Sequence, residues 1–128
     1  MRLTTFAATA CLAVVFSVSA ASAEGKDMKE AELKSLLEGG KTLQLGGKGM
    51  GYSGTLTLSA DGSGKGEAKT DDGTQISIDG TWRIKGDTFC RTWAKLDGGK
   101  EVCERWHLVA PSQVEVYVGK EKAGVNSW

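Results

Sequence analysis

YSGTLTLSADGSGKGEAKTDDG, residues 52–73, decides the fold class. Leu56 and Leu58 alternate with Thr55 and Thr57, and Gly66 and Ala68 alternate with Lys65, Glu67 and Lys69. Successive side chains of a strand point to opposite faces, so each run describes a strand with one apolar and one polar face. Asp61-Gly62 and Asp72-Gly73 punctuate the runs. Asp-Gly between alternating segments favours a hairpin, because the tight turns that match strand twist need positive φ at their centre. Strands joined this way are antiparallel neighbours.

The same grammar extends in both directions. Toward the C-terminus it predicts strands over Thr74–Ile78, Thr81–Lys85, Thr88–Leu96, Glu101–Val109 and Gln113–Val118. The intervening turns are Asp79-Gly80, Gly86-Asp87, Asp97-Gly98-Gly99 and Ala110-Pro111-Ser112. Residues 119–128, with Lys120, Glu121 and Lys122, read as a tail. Toward the N-terminus Thr42–Leu45 is a short strand. Before it, residues 27–38 predict a helix capped by Asp27 with Glu30 three residues on, carrying a stripe of Ala31, Leu33, Leu36 and Leu37 and ending at Gly39-Gly40. Three turns are too few for a free helix, so the stripe must dock. The expectation is a mainly β protein: an antiparallel meander of about eight strands, curled into a small barrel or strongly curved sheet, with the helix over one end.

Residues 1–23 read as a secretory leader. Met1-Arg2 precedes an apolar run from Phe6 to Val18, and Ala21-Ser22-Ala23 offers a small-x-small cleavage site. The run is too short for a spanning helix, which needs about 20 residues. Residues 24–128 then form a single domain, with loss of Arg2 turning the balanced 16 basic and 16 acidic residues into a net charge of −1. Charges of both signs are interspersed, which argues against nucleic acid as a partner. The chain is expected to work after export, in the periplasm or as a secreted protein.

Export leaves Cys90 and Cys103 in a compartment that permits disulfides. A two-residue Asp97-Gly98 turn sets Phe89 opposite Trp106, Arg91 opposite Glu104 and Trp93 opposite Val102, with the cysteines diagonal on the reverse face. A four-residue turn over Lys95–Gly98 sets the cysteines directly opposite at the expense of the aromatic pairing, and a bulge would reconcile the two demands. Either way a Cys90–Cys103 disulfide is expected.

Other motifs carry little chemistry. Gly49-Met50-Gly51-Tyr52-Ser53-Gly54 matches a dinucleotide-binding fingerprint in letters, but a strand follows where a helix N-terminus is needed. Asp61, Ser63 and Lys65 place a lysine where a calcium loop needs an oxygen ligand. Cys90, Cys103 and His107 are too few for a metal site and include the disulfide pair. His107 is the only histidine, with Arg105 and Val109 as its same-face neighbours on the strand, and is expected to be dispensable. No catalytic set, cofactor or metal is expected. Tyr52, Trp82, Trp93 and Trp106 are the candidate ligand contacts, lining the barrel if it is hollow.

The stretch Gly80-Thr81-Trp82-Arg83-Ile84-Lys85-Gly86-Asp87-Thr88-Phe89-Cys90-Arg91-Thr92-Trp93, followed by Cys103, resembles a signature of small exported bacterial proteins classed as domains of unknown function. Leu36–Thr42 and Asp61–Gly64 look like the earlier parts of that signature. The resemblance implies location and architecture and brings no catalytic residues. The function expected from all of this is a non-enzymatic binding or interaction module, with a calycin-like carrier of a small apolar ligand or a secreted enzyme inhibitor as alternatives. Its partner is then a protein or a small apolar ligand.

Cleavage after Ala23 would give a mature chain beginning at Glu24. Intact-mass measurement of the exported protein checks this, and a mass that retains residues 1–23 contradicts it.

Overall fold

Nearly every turn read from the sequence joins two strands that pair with each other in the computed structural model, which describes residues 25–128; the expected leader lies outside them. The elements are β1 (Lys26–Asp27), α1 (Glu30–Leu37), β2 (Lys41–Gly46), β3 (Tyr52–Leu58), β4 (Ser63–Thr70), β5 (Gln75–Lys85), β6 (Thr88–Trp93), β7 (Glu101–Ala110), β8 (Gln113–Val118) and β9 (Glu121–Ser127). From β2 to β9 each strand runs antiparallel to the next, and β9 returns to β2 through Gln44↔Ser127 and Leu45↔Asn126. The described residues therefore form an eight-stranded closed barrel. β1 is an extra strand on the C-terminal half of β7, beyond its pairing with β6, where Lys26 faces Leu108 and Asp27 faces His107.

Three expectations need correction. The supposed tail is β9, the strand that closes the barrel. Asp79-Gly80 is no turn: residues 75–85 form one strand, and Gly80 pairs with Trp93. A Cβ at Gly80 would fall 1.9 Å from the Thr92 carbonyl, so the glycine serves close strand approach rather than reversal. The helix is shorter than 27–38, and Asp27 lies in β1 instead of capping it. Of the two registers open for the β6–β7 hairpin the structure has the second, with Cys90 directly opposite Cys103 and Phe89 opposite Glu104, without a bulge. The two cysteines are joined by a disulfide. The favourable pairs of the other register survive as diagonals: Arg91 still reaches Glu104, and the rings of Phe89 and Trp106 pack with centroids 4.9 Å apart.

Alternation sorts the strands as the sequence implied. Leu43, Leu56, Leu58, Ile78, Phe89, Trp93, Trp106, Val114 and Val116 are buried inside the barrel. Thr42, Gln44, Thr55, Thr57, Lys65, Glu67 and Lys69 are exposed on its outer face. That polarity is the reverse of a barrel embedded in lipid. No helix among the described residues is long and apolar enough to cross a membrane.

The helix closes the end formed by the β3–β4 and β5–β6 turns. Its first turn is held from outside: the Glu30 N–H donates to Asp87 Oδ1 at 2.8 Å, and Lys29 Nζ lies 3.6 Å from the same carboxylate. The Gly86-Asp87 turn thus supplies the N-terminal cap that the helix lacks. At the other end Gly40 takes φ 87° and turns the chain tightly under the Leu58 carbonyl into β2. Leu33 and Leu37 are fully buried against the barrel core, whereas Leu36 is only partly covered.

Leu37→Ala should therefore cost about 2–5 kcal/mol, and Leu36→Ala clearly less. Urea unfolding of the two variants checks this order, and equal losses would contradict the docking described.

Candidate functional site

The interior of the barrel is incompletely filled. A cavity of about 230 Å³ lies toward the end away from α1, and all eight barrel strands contribute to its wall. Leu56, Ala68, Ile78, Phe89, Trp93 and Val116 form its apolar body. Leu45, Tyr52, Ile76, Leu96 and Ala123 belong to strand ends and the β6–β7 connection on the far side from the helix, and so form the mouth.

Room for the cavity comes from small residues that let large ones lie flat. The indole of Trp93 rests where side chains of Gly64 and Gly80 would be: a Cβ at Gly64 would stand 2.8 Å from Trp93 Cη2, and one at Gly80 3.1 Å from Trp93 Cε3. Gly124 plays the same part for Tyr52, whose hydroxyl oxygen accepts a hydrogen bond from the Val125 N–H at 3.1 Å. That bond ties β3 to β9 across the end of β2.

One charged group of residues enters this apolar space. Arg91 Nε donates to Glu104 Oε2 at 2.6 Å, and Arg91 Nη1 donates to Asp97 Oδ2 at 2.7 Å. Trp106 Nε1 donates to the other Glu104 oxygen at 3.0 Å. Glu104 is 6% exposed, so it is a carboxylate held in the protein interior. Burial works against the charge on Arg91, but the attraction of Glu104 and the hydrogen bonds to Glu104 and Asp97 outweigh it and raise the guanidinium's pKa. Asp97 lies in the short turn Asp97–Gly99 and is the one non-glycine among the described residues at positive φ, 55°. Its side chain ties the β6–β7 connection, with Leu96, to the cavity wall.

Of the four aromatic candidates the fold brings Tyr52 and Trp93 to the cavity. Trp106 is fully buried beneath Phe89. Trp82 sits at the helix end, where its indole N–H donates to the carbonyls of Ser59 and Ser63 at 3.1 and 3.0 Å and so clamps the β3–β4 turn. Sequence reasoning placed Arg91 and Glu104 together on one face of the hairpin without seeing that this face looks inward. It missed Asn126 and Ala123, because their strand was read as a tail.

His107 lies on the outer wall, away from the cavity. Its Nδ1 is 2.7 Å from Asp27 Oδ1, which also accepts from Arg105 Nη1 at 2.9 Å. The hydrogen bond with His107 is the largest influence on the Asp27 carboxyl and, with Arg105, lowers its pKa against the opposing effect of burial. Arg105 in turn lies 4.6 Å over the Tyr117 ring. The group fastens β1 to the barrel. Asp27, assigned from sequence to the helix cap, was the partner missing from the sequence view of His107. Cys90, Cys103 and Glu101 also converge within 4.8 Å, but the two sulfurs are bonded to each other, which leaves no thiolate to ligate a metal.

No protein-family model, curated protein or solved structure matches this chain.

Glu104→Ala should cost about 3–5 kcal/mol, since it leaves Arg91 buried without its main partner and Trp106 Nε1 without an acceptor. The double variant Arg91→Met, Glu104→Leu should recover most of that loss. Denaturant titration of both checks the prediction, and a single variant as stable as the parent refutes it.

Proposed function

We propose that this protein is a non-enzymatic carrier that holds a small, largely apolar ligand inside its barrel, and that it does so after export from the cytoplasm. The observation that carries the reading is the cavity of about 230 Å³ walled by all eight strands. An eight-stranded barrel has an interior just wide enough either to be filled by side chains or to hold one small ligand. Here glycines at 64 and 80 keep the Trp93 ring against the wall, which favours the second use. Apolar walls with a few convergent polar groups are the usual make-up of a ligand site.

A binding role agrees better with these residues than catalysis does. The one imidazole is engaged with Asp27 on the outer wall, and the carboxylate inside the barrel is committed to Arg91 and Trp106. General acid–base chemistry needs a titrating group within reach of the substrate, and His107 is on the wrong side of the sheet for that. The disulfide is compatible with an oxidising, exported setting, and the leader-like residues 1–23 support the same location.

The test is binding of N-phenyl-1-naphthylamine, a neutral apolar fluorophore, followed by its own emission and by quenching of the tryptophan emission. Saturable 1:1 binding is expected. Ala68→Phe, and independently Ile76→Trp, should fill the cavity and weaken binding by about tenfold or more while the protein still unfolds cooperatively. Absence of binding, or binding unaffected in both folded variants, overturns the proposal.

A further inference from the structure

Resting on the carrier reading, we infer that the cavity selects neutral ligands bearing an amide or carbonyl group over anionic ones such as carboxylates. Arg91 is the only cation in the cavity wall, and it is already shared between two carboxylates, Glu104 at 2.6 Å and Asp97 at 2.7 Å. Inside the wall Arg91 is neutralised by the buried Glu104, and the more exposed Asp97 takes up its remaining donor at the rim. A ligand anion brought into this space meets no free counter-charge and would have to displace one of these pairs, in surroundings where an unpaired charge is costly. A neutral ligand disturbs nothing.

The second observation is Asn126. It is 8% exposed, lines the cavity from β9, and its side-chain amide makes no hydrogen bond to any of the described residues. No fully enclosed side-chain nitrogen or oxygen among the described residues lacks a partner, so this amide faces accessible space, and the space beside it is the cavity. A primary amide offers one acceptor and two donors without charge. It matches a ligand amide on both counts and a carbonyl or hydroxyl on one. A ligand that engages the amide replaces the water that otherwise satisfies it, whereas one that cannot engage it strips that water without replacement. The exposed lysines of the rim loops, Lys48, Lys95 and Lys120, are the rival anchors for an anion, but they stand in water where attraction is screened.

Octanamide and octanoate, of equal chain length, separate these alternatives by calorimetric titration near pH 7.5, with displacement of N-phenyl-1-naphthylamine as a second readout. Octanamide is expected to bind the wild type about tenfold tighter or more. Asp97→Asn should strengthen octanoate several-fold and leave octanamide unchanged, because it releases part of the charge on Arg91. Asn126→Leu should weaken octanamide several-fold and leave the fluorophore bound. Octanoate binding as tightly as octanamide overturns the inference in favour of the rim lysines. Fluorophore binding that neither octyl compound displaces also overturns it, while the carrier reading stands. If the fluorophore itself does not bind, the carrier reading fails first.

Discussion

A sheet of eight strands has two edges, and each edge exposes a row of unpaired backbone groups. In this protein both edges are removed by the final seven residues of secondary structure. β9 pairs with β8 along most of its length and with β2 at Gln44↔Ser127 and Leu45↔Asn126. The second contact is short, and the bond from the Val125 N–H to the Tyr52 hydroxyl backs it, while Trp128 N–H to the Ser112 carbonyl extends the pairing with β8. Everything else follows from that closure. Only a closed sheet has an inside, and only then do Phe89, Arg91, Trp93 and Glu104 line a common interior instead of facing solvent.

The inside is divided into two zones with different packing. Near α1 the space is full: Leu33 and Leu37 of the helix meet Leu43, Leu58, Phe89 and Trp106 with no exposure to speak of. Beyond that zone the inward positions of β3, β4 and β5 include Gly54, Gly64, Gly66, Ala68 and Gly80 among larger residues such as Leu56 and Ile78, and these five add almost no volume. Trp93 leans into part of the space they leave, and the rest is the cavity. The buried Arg91–Glu104 pair sits between the zones. Such pairs contribute little net stability once desolvation is counted, so the pair sets the polarity of the cavity more than the strength of the fold.

Much of the architecture was legible because it rests on period-two alternation and on Asp-Gly turns, both local. Asp61-Gly62 and Asp72-Gly73 behave as turns, with Gly62 and Gly73 at φ near 90°. Asp79-Gly80 has the same letters and fails, because Gly80 is required by what lies across from it, the Thr92 carbonyl and the Trp93 ring. That requirement is tertiary and leaves no local mark. β9 was hidden for a related reason. Its register shifts between Val116↔Gly124 and Tyr117↔Lys122, which leaves Ala123 as an extra residue and interrupts the alternation just where the charged residues begin. The cavity was beyond reach: whether inward side chains fill a barrel depends on which of them meet. Arg91 and Glu104 were visible as partners, but their common face acquires an inside only when β9 closes the ring.

The position of the disulfide has a consequence for oxidative maturation. Cys90 and Cys103 are 13 residues apart on adjacent strands of one hairpin, and they are the only cysteines beyond the expected leader. One intramolecular pairing is available, so there are no isomers to sort and no shuffling step to wait for. The bond links two strands that already meet locally, and it can form before the distant contact between residues 44 and 127 is made. The hairpin it braces bears Phe89, Arg91, Trp93, Leu96 and Glu104, a third of the cavity's lining. Reduction would therefore act first on this wall and leave the β2–β5 side of the barrel without a covalent change, so that redox state bears on the pocket before it bears on the fold.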